Sequence, residues 1–220
     1  MVMLMKNIPI FTTENGIASP ILEEISFNKT AYIRIQNSLD PEALVQECVT
    51  FCRAVGAENI YASGIDRSEG STSVLRMSRS REGLGDSAAA LVKVTSTTVE
   101  LFRKIYNDGM RAVQNASGMT TMAANDVLIE GTGYFVYQDS DLIGIGIAKE
   151  QWVRAIVSLR HGMGESIMLA LNRVLEGERV YVEVINTNRP AMNLYKRMGF
   201  IVEETISTWY KIFSLSSENT

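Results

Sequence analysis

Apolar side chains return at Leu44, Val45, Cys48, Cys52 and Val55, the spacing of one helical face, and Asp40-Pro41 ahead of them supplies an N-cap and a proline at the first helical position. Gly56 closes this helix, and residues 59–63 follow as a short strand. Upstream, residues 21–35 alternate loosely between apolar and polar, which predicts a hairpin turning at Phe27-Asn28-Lys29-Thr30. Residues 68–73 and 78–87 are rich in turn formers, with a strand at 74–77 between them, and the second of these stretches predicts a domain boundary.

The pattern beyond residue 88 is denser. A strand at 91–95 precedes Thr97 and Glu100, spaced as a capping box ahead of Leu101, Phe102, Ile105 and Tyr106. Residues 115–126 read as either helix or loop. The runs 134–137 and 142–148 flank the polar turn Gln138-Asp139-Ser140-Asp141, and 152–159 adds a third strand, giving an antiparallel meander. Leu159-Arg160-His161-Gly162-Met163-Gly164-Glu165 then turns into an amphipathic helix with Ile167, Met168, Leu171, Val174 and Leu175 on its apolar face, closed at Glu176-Gly177. A strand at 180–185, a helix from Asn188-Arg189-Pro190 to Gly199, and strands at 200–202 and 206–213 complete the chain.

With 220 residues, 46% of them hydrophobic, 21% charged and only 4 proline, the chain has the composition of a folded protein of one domain and an appendage, or of two small domains. Its net charge of -4 lacks the electrostatic term that drives phosphate-backbone binding, so nucleic acid is not expected as a partner. No apolar run approaches the roughly 20 residues that cross a bilayer, so no membrane span is expected. Residues 1–5 are apolar, but without a basic segment before them they read as a strand or frayed end, not a secretory signal. Cys48 and Cys52 lie on the helix's apolar face as buried thiols, which suits a cytoplasmic setting.

A strand that enters a Gly turn and then a helix aims backbone N–H groups and the positive end of the helix dipole at one spot suited to phosphate oxygens. The turn does not complete a dinucleotide fingerprint, because Ile167 stands where its third glycine would be. A plain tight turn remains the alternative for this stretch alone. Further on, residues 182–200 contain N-x-x-A-x-x-L-Y-x-x-x-G-F, carried by Asn188, Ala191, Leu194, Tyr195, Gly199 and Phe200. This resembles the last signature block of the GNAT superfamily of acyl-CoA N-acyltransferases, and Gly162 and Gly164 match the glycines of its preceding block. Leu159 stands at that block's Q/R position, with arginine one place later at Arg160. The resemblance covers residues 91–213.

The resemblance implies a mixed α/β fold of the α+β type, with a central mixed sheet flanked by helices over residues 88–220. Residues 1–87 form a small N-terminal α/β module, either a degenerate half copy, since residues 40–63 repeat the helix–glycine–strand order of 164–183, or an unrelated appendage. It implies transfer of an acetyl group from acetyl-CoA to a primary amine of a small molecule or peptide, and it allows a homodimer. Tyr195 then matches the family's general acid, with packing of a core aromatic as the alternative role, and its ordinary pKa near 10 keeps it protonated. Glu183 matches a base used by some members, water being the other candidate, and burial would raise its basicity. Coenzyme contacts fall to Val157, Leu159, Arg160, His161, Gly162, Met163, Gly164, Glu165 and Asn188, the last also suited to cap its helix. No residue pair has metal-ligand spacing, so no metal is expected. An acyl-CoA-binding regulatory domain without catalysis is the alternative from another class, and the presence of both Tyr195 and Glu183 speaks against it.

Overall fold

The computed structural model describes residues 9–65 and 71–215, so the strand or frayed end read at residues 1–5 lies outside the described residues. The chain divides into two compact units, Met1–Ser73 with Ser207–Thr220, and Val74–Ile206.

In the first unit, β1 (Phe11–Thr13), β2 (Gly16–Ile21), α1 (Ile25–Asn28), β3 (Thr30–Ser38), α2 (Pro41–Ala54) and β4 (Asn59–Ser63) follow in order. An antiparallel β2–β3 pair is present, from Gly16↔Ser38 to Ile21↔Tyr32, but its first strand ends at Ile21, where the expected hairpin of residues 21–35 was to begin. Its connection is a correction: residues 25–28 form a single helical turn, closed by Lys29 in the left-handed conformation at φ 60. The α2 helix starts as expected, with the Asp40 side chain accepting from the Ala43 N–H at 3.0 Å. Its face of Leu44, Val45, Cys48, Val49 and Cys52 packs on Ile33, Ile35, Ile60 and Ala62. The β3 and β4 strands run parallel and stay paired over residues 30–34 and 59–63.

The second unit begins within β5 (Ser71–Ser80) and continues with β6 (Ala90–Lys93), α3 (Val99–Met110), α4 (Thr121–Glu130), β7 (Gly133–Gln138), β8 (Asp141–Lys149), β9 (Trp152–Ser158), α5 (Gly164–Asn172), β10 (Arg179–Ile185), α6 (Arg189–Arg197) and β11 (Ile201–Ser214). The meander is as expected, and Asp139 and Ser140 turn it with φ of 51 and 68, the twist a two-residue hairpin favours. One sheet face packs on α3 and α4 through Phe102, Ala124, Phe135, Ile145 and Val157. The other packs on α5 and α6 through Ile167, Met168, Leu171, Met192 and Tyr195.

Four expectations shift here. The capping box does not form, because Thr98 is the first flanking residue of α3 and its hydroxyl accepts from the Thr95 N–H at 2.9 Å. The undecided stretch 115–126 resolves into a loop and then α4, capped by Thr120 through the Ala123 N–H. The two last strands are one, β11, which contributes residues 201–206 to the second unit and 207–214 to the first. The division also falls earlier than the expected boundary after residue 87. It does so because β5 pairs with β10 from Val74↔Ile185 to Ser80↔Arg179, and because Arg81 donates to the Asn172 and Leu175 carbonyls at the end of α5. Arg79, on β5, likewise donates to the Met198 carbonyl that ends α6. Cations at helix C-termini oppose the dipole favourably, so β5 anchors both helices that follow β9 and β10.

Candidate active site

The β9 and β10 strands are parallel, but they pair at a single residue, Tyr181↔Trp152, with the Tyr181 N–H donating to the Gln151 carbonyl at 2.9 Å. Beyond that point they part. Strand alternation fixes which main-chain groups face the gap. The Leu159 N–H donates to the Ile143 carbonyl at 2.9 Å on β8, so Leu159 and Val157 turn their backbone to β8 while Ile156 and Ser158 turn theirs to the gap. By the same alternation Glu183 faces the gap from β10.

Two hollows open where the strands separate, of about 450 Å3 and about 640 Å3. They share Ile156, Ser158, Asn188, Ala191 and Tyr195. The larger is lined by the turn at Leu159, Arg160, His161, Gly162 and Gly164 and by α6. The smaller lies between the end of α3, the loop at residues 113–117, β9 and β10.

The turn leaves its donors unspent. Gly162 sits at φ 85, a conformation that L side chains rarely adopt, and a Cβ there would meet open space. A Cβ on Gly164 would stand 2.9 Å from Leu194 Cδ2, so the start of α5 closely approaches the middle of α6 there. No side chain caps α5, and the N–H groups of Gly162, Gly164, Glu165 and Ser166 meet no acceptor among the described residues. Ser158 fixes the entry, its hydroxyl donating to the Arg160 carbonyl at 2.6 Å.

The expected residues distribute around this frame. Gly162, Gly164, His161, Leu159, Arg160 and Asn188 line the larger hollow. Arg160 turns outward to Asp141 at 2.9 Å, and the Leu159 side chain is 48% exposed. Met163 packs beside the second unit's core, and Glu165 is exposed in the first turn of α5. Asn188 is the cap of α6, accepting from the Ala191 N–H at 3.2 Å. Val157 differs: its buried side chain packs toward α3 and lines the smaller hollow, not the larger. The gap-facing Ile156 and Ser158 are what the sequence reading missed, although the two-residue strand period already sets them apart from Val157.

Tyr195 is 7% exposed, packs its ring 5.4 Å from Phe200, and borders both hollows, so it is a core aromatic that also lines the candidate site. Burial pushes its hydroxyl up to about 12, so it stays protonated at neutral pH. Glu183 departs from expectation. Its side chain is 41% exposed and pairs with Arg76 at 3.8 Å, so the expected burial is absent. Among the described residues no group of His, Cys, Asp or Glu could hold a metal ion, and no described helix is long and apolar enough to cross a membrane.

No family model and no curated protein matches the chain in sequence. Solved structures do match. A functionally unknown conserved protein from Staphylococcus epidermidis aligns at 12% identity and a TM-score of 0.56, covering 93% of each chain. A GNAT-family acetyltransferase from Colwellia psychrerythraea aligns at 11% identity and a TM-score of 0.51, covering 92% of this chain and 84% of its own. A GCN5-related N-acetyltransferase from Anabaena variabilis gives 12% and 0.52, covering 89% of this chain and 59% of its own. At these identities the likeness speaks for the fold: the chain has a GNAT-like fold, a mixed sheet flanked by helices.

Proposed function

We propose that this protein is an N-acetyltransferase that moves the acetyl group of acetyl-CoA to a primary amine of a small molecule or peptide. The observation that carries the reading is the parting of β9 and β10 after one paired residue, with the uncapped start of α5 on one side and Tyr195 bordering both hollows. Acetyl-CoA supplies a thioester whose carbonyl carbon is open to attack by a neutral amine. The residues present fit it. The unspent N–H groups at the start of α5 and its dipole suit a pyrophosphate, and the open backbone of Ile156 and Ser158 suits an extended, amide-bearing arm. Leu159, Arg160, His161 and Asn188, which line the larger hollow, would surround that coenzyme, with Met163 and Glu165 in the adjoining turn, and Val157 would wall the acceptor side.

The chain's own chemistry follows from two groups. Tyr195, held protonated near 12, is a weaker acid than a thiol at about 8.5. It would therefore keep its proton and stabilise the leaving sulfur by a hydrogen bond, which solvent completes with a proton. Glu183, paired with Arg76, would accept a hydrogen bond from the amine directly or through one water, so base and proton relay share the position.

Thiol release from acetyl-CoA across a panel of amines tests this reading. Release that depends on the amine supports it. Stabilisation by acetyl-CoA with no release on any amine contradicts it and favours a regulatory acyl-CoA-binding domain.

A further inference from the structure

We propose that the acceptor carries a carboxylate at its far end and that Arg154 binds it, an inference that rests on the acetyltransferase reading above. Among the described residues, the only charged side chains lining the smaller hollow are Arg154 and Glu183. Glu183 is engaged by Arg76, which also pairs with Glu204. Arg154 has no carboxylate within ion-pair distance among the described residues.

Arg154 is nevertheless held in place. Its guanidinium carbon lies 4.2 Å from the centre of the Trp152 ring, which also carries Arg76 at 5.3 Å and rests against Tyr181 at 5.1 Å. Stacking on an indole leaves the N–H fork at the edge of the guanidinium plane available for a bidentate carboxylate. It also restricts the side chain beforehand, so less rotamer freedom is lost on binding. Arg76, Glu183 and Glu204 together carry one net negative charge, which offsets that of Arg154 across the cluster, but no carboxylate closes on the Arg154 fork itself.

Distance sets the kind of acceptor. Acyl transfer belongs where the hollows meet, at Ile156, Ser158 and Tyr195, and Trp152 lies four residues before Ile156 on the same strand. At about 3.3 Å per residue the guanidinium, carried by Arg154 and seated on Trp152, falls about 7 to 13 Å along the strand from that point, too far for the amine and carboxylate of one α-amino acid and suited to the two ends of a peptide of two or three residues. The net charge of -4 draws cations in general, and Arg154 selects those with an anionic tail.

The test compares thiol release on Ala-Ala-Ala with release on its C-terminal amide. The free acid should be favoured in kcat/KM by about tenfold or more, through KM, and Arg154→Ala should bring the two peptides within about twofold. Arg154→Lys should retain part of the preference, since charge survives and the fork does not. Equal use of acid and amide by the natural chain, a preference that persists in Arg154→Ala, or turnover of other amines but neither peptide overturns the carboxylate assignment and leaves acyl transfer standing. No release with any amine overturns the acetyltransferase reading, and this inference with it.

Discussion

Each unit contains a strand, a helix and a second strand parallel to the first, and the two copies of this arrangement do opposite things. In β3–α2–β4 the strands remain paired over residues 30–34 and 59–63, and Asp40 caps the helix between them. In β9–α5–β10 the strands pair at one residue, and the helix has no side-chain cap. The first arrangement satisfies its own backbone and closes over a core of Cys48, Cys52 and their neighbours. The second leaves N–H groups and strand edges facing two hollows. The proposed site thus lies where the fold leaves ordinary backbone bonds unmade, with few specialised side chains added.

The largest expected effect comes from closing the open turn. Gly162→Val must force a β-branched side chain to φ 85, and Gly164→Glu must displace Leu194 and add a negative charge beside the proposed phosphate position. Acetyl-CoA at a hundredfold over its Kd should stabilise the natural chain by about 2.7 kcal/mol, and either variant should abolish the shift in a thermal melt.

Next in size is Tyr195→Phe, which keeps the buried ring and removes the hydroxyl. Loss of one hydrogen bond to a developing charge should lower turnover by about 10- to 100-fold, with coenzyme binding intact. A fall well beyond that range in kcat would mean the hydroxyl transfers its proton in full.

The two units should also differ in alkali. Burial raises Cys48 to about 11 and Cys52 to about 12, both from an ordinary 9.0, so the folded chain holds protons that the unfolded chain releases. Their contribution is complete below about pH 9 and is lost as pH rises toward their folded values. Tyr195 adds the same sense of change only between 10 and about 12. Denaturant unfolding followed from pH 8 upward should weaken first in the first unit, and Cys48→Ala with Cys52→Ala should remove the loss that begins near 9.

The smallest effect is Asp40→Ala, which should cost about 1 kcal/mol of stability and leave the acetyl-CoA shift as it was.

Much of this frame was legible in the residues. The Asp40-Pro41 start, the meander around Asp139 and Ser140, the Gly162-Met163-Gly164 turn and the Asn188 cap each rest on local chemistry that a short window contains. What stayed hidden depends on partners distant in sequence. The end of β5 is set by Arg81 reaching α5, and the unity of β11 by pairing with β4 beyond residue 210. The same holds at the site, where the ion pair of Glu183 with Arg76 and the seat of Arg154 on Trp152 both need β5, β9 and β10 in register.

Met163→Asp probes the open start of α5 most directly, because it places a carboxylate at the residue that precedes the helix. The new carboxylate would face the free N–H groups of the first turn while the packing of Met163 on the core is lost, so the chain without ligand should melt somewhat lower than the natural one but remain folded. Titration with acetyl-CoA should then show affinity reduced by about tenfold or more, the donors being occupied and the charge opposed. An unchanged acetyl-CoA affinity in a folded Met163→Asp chain would contradict the account, since the open helix start would then have no part in binding.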